Sequence, residues 1–205
     1  MRISHSQLEQ CLANPRSWLR DASANKAHPY KMGYDRIVRL SIFRFHKTSE
    51  REAQNYLDQM VKKHRLNNVG RIAQIEASLG RYIKWCSAEF LRVADTSVNI
   101  LYTRSFLELR GMVGRVDITT NGYRAVLLGA APEDWKNQLR MPLIQLAVAS
   151  MYNRPANQTE VGFQNLDGSK LTTTLYSRSQ IERAGRKFEA LGRAIRRLER
   201  RSRLP

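Results

Sequence analysis

Residues 114–131 constrain this chain more than any other stretch. Gly114-Arg115-Val116-Asp117 carries an apolar run into a carboxylate. Asn121-Gly122 follows, and the apolar run Ala125-Val126-Leu127-Leu128 then leads into Gly129-Ala130-Ala131. Asn-Gly is the strongest short hairpin signal, because both central positions of the tight turn want positive φ. Two strands therefore return on each other here, with Asp117 on the first.

The surrounding pattern extends that hairpin. Val98, Ile100 and Tyr102 alternate, Phe106, Glu108 and Arg110 do so less cleanly, and Met112, Val113, Val116 and Ile118 follow. Three antiparallel strands are expected at roughly 98–109, 111–120 and 123–130. Pro132-Glu133-Asp134 should open a helix, since proline suits a first turn and acids suit the helix dipole. Leu139, Leu143, Leu146, Ala147 and Met151 carry its apolar face. Asn153–Asn157 reads as a loop. A second hairpin joins 161–166 to 171–175 through Asp167-Gly168. A final helix starts near Ser179, with Ile181, Ala184, Phe188, Leu191, Ile195 and Leu198 as its stripe.

The first 95 residues read as helical. Ser6-Gln7-Leu8-Glu9 has the form of a capping box, and Asn14-Pro15 should end or kink the helix after it. A second short helix carries Trp18 and Leu19, and residues 23–34 read as a loop. Helix resumes over 35–62 with a break near 46–49, where Ser49-Glu50-Arg51-Glu52 gives a second capping box. Another helical segment covers 68–93. The expected organisation is one domain over 1–205: a mainly helical part at 1–95, and a sheet core with a basic C-terminal helix at 96–205.

Charge limits the partners. Thirty-five Lys and Arg against 18 Asp and Glu give a formal net charge of +17. Such a field concentrates polyanions and lets counterion release drive binding, so nucleic acid is the natural partner. The final helix carries Arg183, Arg186, Lys187, Arg193, Arg196, Arg197, Arg200 and Arg201, and Arg16, Arg20, Lys26 and Lys31 are expected to extend the same surface if both chain ends flank one sheet. Guanidinium forks suit phosphates better than ammonium groups do. Trp18, Trp85 and Trp135 are expected in the core or at its rim.

Several classes are excluded. No run reaches the ~18 apolar residues of a membrane span. No glycine-rich phosphate loop occurs, and the histidines at 5, 28, 46 and 64 lack metal-ligand spacing. Cys11 and Cys86 read as packed thiols of a reducing cytoplasm. Met1-Arg2 leads straight into polar sequence, so no secretory leader is expected.

Helices, three strands, helix, two strands, helix: this order resembles the PD-(D/E)xK nuclease superfamily, in particular its RecB-type branch. The opening Ile3-Ser4-His5-Ser6-Gln7-Leu8 with Asn14-Pro15-Arg16 is similar to that branch's N-terminal Ser-x-Ser…Cys-Pro-Arg pattern, with Asn14 in place of the cysteine. Gly114-Arg115-Val116-Asp117 is similar to its Gly-x-x-Asp strand, and Gln145…Tyr152 to its glutamine-tyrosine motif at a longer spacing. The resemblance implies an α/β fold: a small mixed sheet flanked by helices, the core of restriction endonucleases, with an N-terminal helical part.

In that family the strand aspartate and a following acid-x-lysine triplet hold Mg²⁺ and activate a water. Here Asp117 matches the first ligand. Gly129 stands for the second acid and Ala131 for the lysine, and neither can bind metal or move a proton. The resemblance thus implies a degenerate site, with Asp117 as its remnant and Gln145 and Tyr152 as motif residues. It implies no cofactor, or Mg²⁺ if the site has been rebuilt from Asp117 with Glu108, Glu133 or Asp134, and with Lys136 in the lysine's role. Glu133, Asp134 and Lys136 read otherwise as an acidic helix start with an exposed lysine, and Glu108 as an exposed strand residue. Asp117 has two further partners on offer, Arg115 and Arg140. The branch's helical histidine has no clear match, His46 and His64 being poorly placed.

The expected function is nucleic-acid binding, with DNA the expected ligand, by an inactive nuclease-like subunit of a DNA-processing or defence complex, beside a helicase or an active nuclease. Two alternatives stand: an active Mg²⁺-dependent DNA nuclease, and a regulatory subunit whose basic face meets an acidic protein.

Overall fold

The computed structural model describes residues 1–24 and 32–202. The middle of the loop expected at 23–34, with Lys26, His28 and Lys31, lies outside them. Among the described residues the sheet has six strands. β2 (Val93–Arg104), β3 (Leu107–Thr119) and β4 (Gly122–Leu128) form the antiparallel meander. α6 (Arg140–Met151) then crosses over, so that β5 (Thr159–Gln164) lies parallel beside β4, and β6 (Leu171–Thr174) turns back against β5. A parallel neighbour requires such a crossover, whereas a hairpin suffices for antiparallel ones. β1 (Arg2–Ser4) pairs parallel with residues 108–110 of β3. β2 covers one edge of β3, so β1 and β4 share the other, at opposite ends. The fold is α/β with a mixed sheet, as the sequence implied.

Side-chain alternation along the strands sends opposite faces into two helical layers. Val116, Ala125, Leu127, Val161 and Phe163 pack against Met141, Ile144, Ala147 and Val148 of α6. Val126 and Leu128 face the other way, into Ile37, Val38 and Ile42 of α3 (Tyr34–Lys47) and Ile75, Leu79, Tyr82 and Ile83 of α5 (Val69–Ala88). α4 (Glu50–Lys63) closes this layer with Ala53, Leu57 and Met60. A third cluster joins β1 and the start of β3 to Leu8 and Cys11 of α1 (Leu8–Ala13), Trp18 of α2 (Pro15–Ala24), and Phe188, Leu191 and Ile195 of α7 (Arg178–Ser202).

Several expectations shift. The first strand pair turns at Ser105–Phe106 rather than near residue 110, because Arg104 is already opposite Leu107. Ser105 takes φ 54°, so a non-glycine residue absorbs the turn. The second hairpin pairs Thr119 with Gly122, which makes Thr120–Asn121 the two-residue loop instead of Asn121-Gly122. Gly122 is needed for another reason: at φ 144° a side chain there would run into the Gln158 carbonyl oxygen. Pro132 opens no α-helix. Residues 132–137 form a turn and a short 3₁₀ segment, Trp135–Asn137, and α6 starts eight residues past the proline.

The first capping box does not form either. Gln7 is the residue before α1 and caps nothing. Glu9 accepts instead from the backbone N–H of Arg140 at 3.0 Å, so a carboxylate on α1 satisfies the first turn of α6. The second box forms in part: Ser49 accepts from the Glu52 N–H at 3.2 Å. The Asn14-Pro15 break falls between α1 and α2 as expected.

Candidate functional site

Asp117 and Arg115 lie two residues apart on β3, so both side chains leave the same face of the sheet. That face is covered by α3 and α5, and both residues are fully buried. Arg115 grips Asp117 with two parallel bonds, Nε to Oδ1 at 2.5 Å and Nη2 to Oδ2 at 3.0 Å. A guanidinium presents its donors in a fork that matches a carboxylate, which uses both oxygens at once. Burial pushes the Asp117 carboxyl up, and the charge and hydrogen bonds of Arg115 offset that rise only in part. Of the two cationic partners on offer, Arg115 takes the role. Arg140 sits at the start of α6, on the Glu9 side.

The pair continues into α5 and α3. Arg115 Nη1 donates to the hydroxyl oxygen of Tyr82, and its guanidinium lies 5.5 Å from the ring of Trp85. The Tyr82 hydroxyl is 2.9 Å from His46 Nε2. Burial, with Arg115 nearby, lowers His46 to about 4, so the imidazole is neutral near pH 7. Burial also pushes the Tyr82 hydroxyl up, which keeps its proton in place. Arg115 donates to the tyrosine oxygen, and the same hydroxyl also contacts the Cys86 thiol. The chain therefore runs from Asp117 through Arg115 and Tyr82 to His46, joining one strand to two helices. His46, poorly placed to the eye in sequence, belongs to this cluster; His64 caps the end of α4 elsewhere.

The strand register sets the positions beside Asp117 one residue earlier than the sequence reading does. Asp117 is opposite Arg124 on β4, so Val126 and Leu128 share its face. Leu127 and Ala131 point into the α6 layer. By face, the positions of an acid-x-lysine triplet beside Asp117 are Leu128 and Ala130 rather than Gly129 and Ala131. The chemistry is equally absent from both pairs. Leu128 is packed into the α3–α5 core, and Arg39 Nη2 comes within 3.7 Å of where a Gly129 side chain would begin.

The other expected site residues are dispersed. Glu108 is nine residues from Asp117 along β3, about 30 Å of strand, and is paired with Arg2 and Arg110. Glu133 and Lys136 are exposed in the turn before α6, and the Lys136 ammonium lies 5.7 Å from the Trp135 ring. Among the described residues no three His, Cys, Asp or Glu side chains gather into a metal-holding group. Gln145 is buried in α6 and fully committed. Its Nε2 donates to the Ala156 and Tyr176 carbonyls at 2.9 and 3.0 Å, and its Oε1 accepts from the Tyr176 N–H at 2.8 Å. Tyr152 stacks on Tyr123 at 4.6 Å between centroids. Cys11 and Cys86 are free and buried, and burial raises both thiols to about 11.

The basic surface forms around α7. Arg183, Arg186, Lys187, Arg193, Arg197, Arg200 and Arg201 are exposed, while Arg196 is half-buried. Arg193 pairs with Glu189 at 2.7 Å. Arg183, Arg186, Lys187, Arg197 and Arg200 form no ion pair among the described residues. α2 packs against α7 through Trp18, which sets exposed Arg16 and Arg20 on a helix adjoining it. No described helix is long and apolar enough to cross a membrane.

No protein-family model matches this sequence, and no curated protein matches it. Among solved structures, the fold resembles a crystal structure from Eubacterium rectale described as a "putative exonuclease". The TM-score is 0.53 at 8% identity, over 84% of this chain and 70% of that one. At that identity the likeness concerns the fold alone, which is nuclease-like. SSO0001 overlaps 90% of this chain and 85% of its own, at 10% identity and a TM-score of 0.32, too loose to carry an argument.

Proposed function

We propose that this chain is a nucleic-acid-binding protein on a PD-(D/E)xK scaffold of the RecB-type branch. Its cutting site is closed, and it serves as a non-cutting subunit of a DNA-processing or defence complex, beside a helicase or an active nuclease. One observation carries the reading: both oxygens of Asp117, the residue that matches the family's first metal ligand, are held by Arg115 in a buried ion pair.

Mg²⁺ requires hard oxygen ligands in a near-octahedral set, with one or two carboxylates as a minimum from the protein. The residues here do not fit it. Asp117 would have to exchange a fixed guanidinium for a hydrated cation in a site closed to water. Leu128 and Ala130 offer no ligand, and Arg115 holds a positive charge where a cation would sit. What persists is the means of holding a polyanion: the exposed guanidiniums of α7 and their neighbours on α2.

Plasmid and oligonucleotide cleavage with Mg²⁺ and Mn²⁺ tests the first half. No cutting above background is expected, and Asp117→Asn should change nothing. Metal-dependent cutting abolished by Asp117→Asn would overturn the reading. Binding to duplex and single-stranded DNA across a salt series tests the second half. Phosphate contacts require log affinity to fall linearly with log salt. Binding to an acidic protein, with none to DNA or RNA, would make the chain a regulatory subunit instead.

A further inference from the structure

The β2–β3 turn carries an unusual residue at its tip. Turn tips favour Gly, Asn, Asp, Ser and Pro, each for a backbone reason. Here the second turn residue is Phe106, and half its surface (51%) is open to solvent. It joins none of the three core clusters, so packing does not account for it. The turn is also held in place. β1 pairs with β3 immediately after it, the Glu108 N–H donates to the Met1 carbonyl at 2.9 Å, and Leu107 packs against α7 at Gly192.

The ring is not bare. The Arg196 guanidinium lies 3.8 Å from its centroid, a close cation–π contact. Arg196 belongs to the basic run of α7, with Arg193 one turn before it and Arg200 one turn after, on the same side of the helix. A rigid, half-exposed aromatic, backed by a guanidinium, is thus set into the row of cations. This is the composition of a single-strand site, where cations track the backbone and π-faces take unstacked bases. A duplex buries its base faces in its own stack and has no use for the ring.

We propose that Phe106, with Arg196 behind it, is a stacking platform for an unpaired base, and that the ligand class of this protein is single-stranded nucleic acid. This rests on the reading above that α7 binds nucleic acid.

Fluorescence anisotropy with labelled oligo(dT) of ~20 nucleotides and a duplex of equal length tests it, on the full chain at one salt concentration. Phe106→Ala should weaken oligo(dT) binding by about 5- to 140-fold, the range for losing one stacked base. Duplex affinity, and the salt dependence of both, should stay unchanged, because stacking releases no counterions. Phe106→Trp should restore oligo(dT) binding and Phe106→Leu should not, which separates a π-surface from a merely apolar one. Circular dichroism checks that each variant folds. Equal losses on both ligands, no loss on either, or full rescue by Leu would overturn the platform while leaving the nucleic-acid reading intact. Wild-type protein that binds neither ligand would sink both.

Discussion

Arg115 and Asp117 neutralise each other on one face of β3, with the carboxylate fully enclosed and both its oxygens occupied. In a metal-dependent hydrolase that carboxylate would keep at least one oxygen for an ion. Here an arginine two residues away supplies the positive charge permanently. With both Asp117 oxygens already taken by Arg115, a second carboxylate at Leu128 would stand unpaired in an apolar core.

Removing one partner is therefore far worse than removing both. Arg115→Met leaves a buried carboxylate without compensation and should cost about 3–5 kcal/mol. Arg115→Met with Asp117→Leu replaces the pair by apolar side chains and should recover most of that loss, since buried pairs often do no better than hydrophobic replacements. Urea denaturation of the wild type, both single variants and the double variant gives the coupling directly. Additive losses would mean that the two side chains are not a closed pair.

Acid should destabilise the protein through His46. Folded, the imidazole titrates at about 4, against 6.5 for a free side chain, because burial and then Arg115 oppose its charge. Between those values the unfolded chain binds a proton that the folded chain refuses. Stability is thus fully present above pH 6.5 and falls as the pH drops toward 4, by up to about 3 kcal/mol at 1.36 kcal/mol per pKa unit. His46→Gln should flatten that slope. An NMR titration placing His46 near 6.5 in the folded protein would contradict the part-buried Tyr82–His46 contact.

These two residues mark where the sequence stops being legible. The meander and the basic helix follow from periodicity and turn chemistry, and the α/β class from the resemblance that their order carries. The Arg115–Asp117 pair could be found too, because a strand puts positions two apart on one face. Tyr82 and His46 could not: they meet only because α5 and α3 pack on each other, and their local patterns are those of ordinary amphipathic helices. Short-range signals failed where the turn carried no marker, as at Ser105–Phe106. They also failed where a strand was too short to show alternation, as at Arg2–Ser4. Glu9 had the form of a local cap, and tertiary packing turned it to a helix that begins 131 residues later.

Gln145 gives a second separation of structure from chemistry. Its amide joins α6 to the backbone at Ala156 and Tyr176. Gln145→Ala would orphan a buried N–H and a buried carbonyl at Tyr176, and should lower stability by about 2–3 kcal/mol. Nucleic-acid affinity, measured well below the melting transition, should not move. A variant of normal stability that bound more weakly would return Gln145 to the ligand site.

The cations of α7 should behave in the opposite way. Arg186 and Lys187 are exposed, sit apart from the Arg196–Phe106 stack, and form no ion pair among the described residues. Their charges add little to folding, since exposed groups far from partners contribute within about 0.5 kcal/mol. Each phosphate contact, however, sets free a counterion. Arg186→Gln with Lys187→Gln should leave the urea midpoint in place, weaken binding at low salt, and reduce the slope of log affinity against log salt. The reduction should be about 0.7 per lost contact on a single strand and about 0.9 on a duplex. An unchanged slope would show that the polyanion runs along another part of the surface, and Arg16→Gln with Arg20→Gln on α2 would then be the pair to measure.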